Sequence, residues 1–374
     1  MFDNLFEGKN VLVTGHTGFK GSWLTEWLLS LKAEVTGYSL PNDCSNKMFQ
    51  QLLHKQRLNE SIESDIRDYR ELSKSVAKNR PDFIFHLAAQ PLVRQSYETP
   101  RETLATNILG TTNLLEAVRD ITHKCVVVIV TTDKCYENRE WLYAYRESDP
   151  LGGHDPYSAS KACAEIVTHS YRKSFFGNGH PVRVASARAG NVIGGGDWAA
   201  DRIVPDIVRS LREKKTIKVR NRHATRPWQH VLEPLSGYLW LAAKLHQSDD
   251  HAIEQLDCFN FGPSTSANQT VCRLVQEVLT HMDGDWKDDT EPNQAHEAGL
   301  LNLTIEKAHH LLQWRPCWSF EQAVEKTVSW YQADASCSDM REKTLSQILT
   351  YCESARKLSI AWATEECLPK PLNN

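Results

Sequence analysis

The sequence lacks an excess of positive charge: 43 Lys and Arg stand against 47 Asp and Glu, a formal charge of −4. That argues against a nucleic-acid partner, which favours a basic patch. Long hydrophobic runs are missing too. The longest are strand-length, such as Val126 to Val130, far short of the roughly 20 residues a membrane helix needs. The opening residues, MFDNLFEGKN, carry no basic stretch followed by a long apolar one. No secretory signal is expected, and the cytoplasm is the expected location. None of the 10 cysteines forms a C-x-x-C pair, and the 15 histidines include no H-E-x-x-H. Reduced thiols that pack as small hydrophobes are expected, and no metal site. The acidic stretch DGDWKDDTEP lacks the glycine placement and spacing of a calcium loop and reads as a solvated loop. Internal repeats and low-complexity tracts are absent.

What is present is an ordinary globular composition, 41% hydrophobic and 24% charged over 374 residues, enough for about two domains. In the first half, short apolar runs alternate with amphipathic stretches. NVLVTG (10–15), EVTGYS (34–39), DFIFHLAA (82–89), KCVVVIVTT (124–132) and VRVASARA (182–189) read as strands. Segments 22–33, 101–120 and 158–175 read as helices, the first with Trp23, Trp27, Leu28 and Leu31 at helical spacing. Continuous apolar strands between helices predict an α/β fold with a doubly wound parallel sheet covered on both faces. After Gly190 the texture becomes glycine-rich and mixed. The expected division is 1–186 and a smaller mixed α/β domain over 187–374, with 228–257 returning to the first. Beyond about residue 337 the sequence is less patterned.

Gly15, Gly18 and Gly21 in VLVTGHTGFKG lie between the first strand and the first helix. Gly15 makes the tight turn, Gly18 lets backbone approach a diphosphate, and Gly21 lets the helix pack on the sheet. This context predicts a dinucleotide site. The second strand ends in Tyr38-Ser39 rather than an acid, with Asp43 a few residues on, and no arginine follows at once to meet a 2′-phosphate. NAD is therefore expected over NADP, and weakly held. Asp65 in SDIRD suits the adenine amino group.

In DPYSASK, Tyr157 and Lys161 stand at i, i+4 on one helix face. A lysine ammonium together with a cationic nicotinamide favours the phenolate, making Tyr157 a base for a hydroxyl proton. The strand VVVIV meanwhile stops at Thr131-Thr132-Asp133-Lys134, at the edge where doubly wound sheets bind ligands.

Together, TGHTGFKG, DIRD, HLAA, the TTD strand end and Y-S-A-S-K resemble the extended short-chain dehydrogenase/reductase family, and within it the nucleotide-sugar 4,6-dehydratases. The likeness covers about residues 20–330. TTDKCYEN and ATRPWQHVLEPLSGYLWLA resemble the branch that acts on CDP-glucose; the dTDP-glucose and GDP-mannose branches carry a glutamate where Lys134 stands. The resemblance implies a Rossmann-type NAD domain, a nucleotide-sugar domain and CDP-D-glucose as substrate. It implies Thr132 at the sugar C4 hydroxyl, Asp133 as the acid for the departing C6 hydroxyl, and Lys134 near C5. Lys134 is then either a neutral base, with Lys161 as the neighbour that lowers its pKa, or a charged group that stabilises the C5 enolate or orients Asp133. Thr17, Phe19, Lys20, Ile66, Leu87, Ala88, Gln90, Thr106 and Thr131 are implied beside the cofactor, with Asn107 as a structural anchor. Asn191, Arg202, Arg226, His230 and His296 are implied around the sugar diphosphate. Helices 101–120 and 158–175, with Leu104, Ile108, Leu114, Leu115 and Val118 on the first, are implied to pair across a homodimer axis. The implied pathway leads to the deoxysugars of bacterial surface polysaccharide, including O-antigen.

Two other readings stay open. An epimerase or reductase of the same fold needs the Tyr-Lys pair but no acid aimed at C6, so Asp133 discriminates. A catalytically silent NAD sensor would have little use for Thr132, Asp133, Tyr157 and Lys161 together.

Overall fold

The computed structural model describes residues 1–41, 47–177, 179–289 and 299–363. Seven strands form one sheet: β1 (Asn10–Thr14), β2 (Glu34–Ser39), β3 (Glu60–Glu63), β4 (Phe83–His86), β5 (Cys125–Val130), β6 (Val182–Arg188) and β7 (Cys258–Asn260). All neighbours are parallel, in the order β7-β6-β5-β4-β1-β2-β3. The chain direction across the sheet reverses between β1 and β4, the crevice where ligands of such sheets bind.

β5 explains the layering. All six of its residues are buried. Val126, Val128 and Val130 enter one core, while Cys125, Val127 and Ile129 enter the other. Strand alternation makes that split, so a strand without a polar face is what a sheet covered twice requires. One face is covered by α1 (Phe19–Ser30) and α5 (Leu232–Gln247), with α6 (Met340–Lys357) joining the same core from behind α1. The other is covered by α2 (Tyr69–Asn79), α3 (100–117) and α4 (Pro156–Ser174). α3 is a composite rod: Pro100–Leu104, a π-helical turn Ala105–Leu109, then Gly110–Ala117.

After β6 the chain builds three two-stranded ladders. They pair Val192–Ile193 with Gln229–His230, Thr225–Pro227 with Asn268–Thr270, and Ile217–Val219 with Trp286–Asp288. α5 then packs back on β5 and β6, and β7 adds to β6.

The weakly patterned stretch after residue 337 is in fact an 18-residue helix, α6, lying on α1. Asp339 caps it by accepting from the backbone N–H of Arg341 and Glu342. α6 is locked to α5 by a buried carboxylate. Glu233 accepts from the N–H of Cys317 (3.0 Å) and Trp318 (2.8 Å) and from the Tyr351 hydroxyl (2.7 Å). Burial pushes its pKa up to about 7. Every cysteine among the described residues is a free thiol.

Candidate active site

The carboxyl ends of β1, β2, β4, β5 and β6 open into one cleft of about 1470 Å³. Its far wall carries Asp197, Arg202, Lys218, Arg220 and Arg226.

The glycine turn begins the site. Gly15 has φ +74°, and a Cβ there would lie 2.7 Å from the Ala88 nitrogen, so only glycine fits. Gly18 precedes α1 and gives it no side-chain cap. A Cβ on Gly18 would meet only the Gly15 carbonyl, at 3.4 Å. The first-turn N–H groups of α1 are therefore left facing open cleft, a ready seat for a diphosphate. A dinucleotide fits this cradle. Thr17 donates to Ser39 (3.2 Å), and Phe19, Lys20, Gly21, Ile66, Leu87, Ala88, Gln90 and Thr106 line the same cleft. Burial, with Arg202 and Lys161 nearby, lowers Lys20 to about 7. The Asp65 carboxylate lines the cleft but is gripped by its own arginine, accepting from Arg67 Nη2 at 2.6 Å. Asn107, within the π-helical turn, accepts from the Gln90 N–H (2.8 Å) and donates to Ser160 (2.8 Å), joining the cofactor loop to α4.

Tyr157 and Lys161 lie on α4, whose first turn is capped by Asp155 accepting from the Ser158 N–H at 2.9 Å. Lys161 donates to the Val130 carbonyl at 3.1 Å. Burial pulls its ammonium down to about 8, against the opposing pull of Glu165 one turn along. Burial pushes the Tyr157 phenol up to about 12, with the Thr132 hydroxyl bonded to it acting in the other direction. The protein's own groups thus leave this phenol protonated at neutral pH, and a cation bound in the cleft is needed to favour phenolate.

Asp133 is 1% exposed. Thr132 donates to its Oδ1 at 2.9 Å and the Asn191 amide to its Oδ2 at 3.0 Å. Gly190 is pressed against it, for a Cβ there would fall 1.9 Å from the carboxylate. Asn191 itself has φ +50°, a left-handed conformation that asparagine tolerates better than most residues. Lys134 lines the cleft, half-buried, with no ion pair among the described residues.

Three of the residues implied around the sugar diphosphate, Asn191, Arg202 and Arg226, line the cleft. The Asn191 amide is bonded to Asp133. Thr131 turns its hydroxyl inward to Glu165. Arg202 and Arg226 both line the cleft, the first paired with Asp197 at 2.9 Å, the second donating to the Thr225 carbonyl at 3.0 Å. His230 is not a cleft residue. It is fully buried against Trp23 and Trp318, and burial lowers it to about 3. Alternation explains this: Gln229 and His230 sit in a short ladder, and the ring points into the aromatic core. His296 and Asp43 lie outside the described residues.

A buried polar frame beneath the site was missed from the sequence. Glu165 accepts from Thr131, from Ser186 at 2.6 Å and from Arg188 at 2.8 Å. Arg188 also donates to the Tyr136 hydroxyl at 2.7 Å and the Glu147 carbonyl at 3.1 Å. The available signal was Glu165 four residues beyond Lys161.

The model of the GDP-mannose 4,6 dehydratase family matches residues 12–327. A CDP-glucose 4,6-dehydratase of Salmonella typhimurium is 45% identical over 363 residues, covering 95% of this chain and 99% of the relative. A CDP-paratose 2-epimerase of Salmonella typhi is 26% identical, covering 86% and 98%. The solved dTDP-glucose 4,6-dehydratase of Streptomyces venezuelae shares the fold with a TM-score of 0.74 at 24% identity, covering 89% and 99%. A UDP-glucose 4-epimerase of Thermotoga maritima does so at 0.72 and 23%, covering 87% and 99%, so the fold alone does not choose the chemistry. The chain belongs to the GDP-mannose 4,6-dehydratase family, the nucleotide-sugar dehydratases of the extended short-chain dehydrogenase/reductase group.

Proposed function

We propose that this chain is a CDP-glucose 4,6-dehydratase, converting CDP-D-glucose to CDP-4-keto-6-deoxy-D-glucose and water with NAD. One observation carries the lyase reading: the buried Asp133, held by Thr132 and Asn191 in the cleft that also holds Tyr157 and Lys161. An epimerase of this fold has no use for an acid at that place. The 45% identity supports CDP-glucose over other nucleotide sugars.

The first turn of α1, with Ile66, Leu87, Ala88 and Thr106, would hold NAD, which when bound supplies a hydride acceptor for C4 and a hydride donor for C6. Thr132 orients the C4 hydroxyl and Tyr157 takes its proton, beside the Lys161 ammonium. The ketone so formed acidifies C5, and Lys134 takes the C5 proton. Asp133 gives a proton to the C6 hydroxyl, which departs as water. Arg202 and Arg226 suit the substrate diphosphate, since a guanidinium fork binds two oxygens. In the other role for Lys134, a charged enolate stabiliser, Lys134→Ala would keep solvent deuterium exchange at C5. As the base, that variant loses it while C4 oxidation persists.

A homodimer is the assembly this reading favours. Leu109 on α3 and Ile166 on α4 are 57% and 55% exposed, and the two helices pack side by side. Cytoplasmic residence and a place in O-antigen deoxysugar synthesis rest on resemblance.

The test is a panel of CDP-, dTDP-, UDP- and GDP-sugars with NAD, read by mass spectrometry. Loss of one water from CDP-glucose without net NADH is expected. Dehydration of a different nucleotide sugar would move the specificity, and epimerised or reduced product would overturn the lyase assignment.

A further inference from the structure

The turn that carries Thr132, Asp133 and Lys134 is fastened at both ends to one buried ion pair. On its N-terminal side, Thr131 donates to Glu165. On its C-terminal side, the Tyr136 hydroxyl accepts from Arg188 at 2.7 Å and donates to Asn260 at 2.7 Å. Glu165 and Arg188 bond each other at 2.8 Å, and both are 3% exposed. A buried ion pair is a poor source of net stability, because desolvation offsets its attraction. Its place directly behind the reacting groups asks for another account.

We infer that Glu165, anchored by Arg188, is a positioning residue for the reaction: it fixes the end of β5 and keeps the Lys161 ammonium charged beside Tyr157. Glu165 lies one helical turn from Lys161 on the same face of α4. The groups that bear on Lys161 come from four elements. Glu165 on α4 favours its charge, burial holds the Cys135 thiol in the turn in its neutral form, and Lys20 on α1 and His86 on β4 each feel the lysine's charge in turn. Burial disfavours the charge most strongly. Glu165 is thus the main force against that burial. Removing its negative charge makes Lys161 lose its proton at lower pH, and a neutral Lys161 no longer supports the Tyr157 phenolate.

The experiment compares wild type with E165Q and with E165Q/R188M. The second variant relieves the uncompensated guanidinium that could stop the first from folding. Competitive acetylation of the full chain with acetic anhydride across pH 6–10, read on the Lys161 peptide by mass spectrometry, gives the ammonium's midpoint without any substrate. A midpoint lowered by about one unit or more is expected in the folded variants, read as about tenfold more labelling on the acid side. The high-pH limb of CDP-glucose dehydration should move down by the same amount. This second arm rests on the function proposed above; the labelling arm does not. If wild type fails to dehydrate CDP-glucose, that function falls and labelling still decides the role of Glu165. An unchanged midpoint, or a uniform loss of rate with no limb moved, would overturn the inference.

Discussion

At Gly190 one hydrogen is all the space that Asp133 leaves. Gly190→Ala must push the carboxylate aside, and misplacing a reacting group by about 1 Å can cost on the order of 100-fold in rate. We expect that loss in dehydration with CDP binding retained, checked by turnover and calorimetry. Asp133→Asn removes the acid but not the Tyr157–Lys161 pair. Dehydration should fall at least about 100-fold while NADH absorbance accumulates on substrate addition. A variant that loses NADH formation as well would place Asp133 in the oxidation step. At this scale the sequence was readable where chemistry sits on the backbone's own punctuation: the glycine turn, the strand end and the Tyr-x-x-x-Lys spacing. His230 was misread because a ring's direction depends on which neighbour covers a short ladder. Glu165 was passed over because a carboxylate in a helix ordinarily faces water.

Among elements, α6 was the least legible. Its buried stripe runs Met340, Thr344, Gln347, Ile348, Tyr351, Cys352 and Ala355, so polar side chains interrupt the apolar period. β3 was missed for a related reason, since ESIE is half-buried at the sheet edge and offers little alternation in hydropathy. The junction of α5 and α6 gives a prediction. Glu233 keeps a proton to about pH 7 when folded and releases it near 4.5 when unfolded. Its contribution to stability is therefore complete below about 4.5 and is lost as pH rises through about 7. The loss is on the order of 3 kcal/mol. Thermal melts should show wild type weaker at pH 8 than at pH 5. Glu233→Gln, which has no proton to lose, should flatten that slope; an unchanged slope would mean other groups set it.

For the whole molecule, the parallel sheet and its two covers were legible because buried strands and amphipathic helices differ in both length and period. The pairing of the far-wall ladders was not, since strands of two or three residues carry no period that names a partner. Leu109 and Ile166 bear on assembly. Leu109→Asp with Ile166→Asp should halve the solution mass in analytical ultracentrifugation if α3 and α4 pair across subunits, and a monomeric wild type would remove the dimer from the proposal.

The π-helical turn at Ala105–Leu109 has a consequence for reading relatives of this chain. Such a turn adds one residue to the helical count, and one residue is about 100° of rotation. The two halves of α3 are therefore clocked against each other. Asn107 meets Gln90 and Ser160, while Leu114, Leu115 and Val118 meet the sheet. An alignment that slips by a single position there would turn every residue by more than a quarter of the circle along half a helix, with no gap to betray the error.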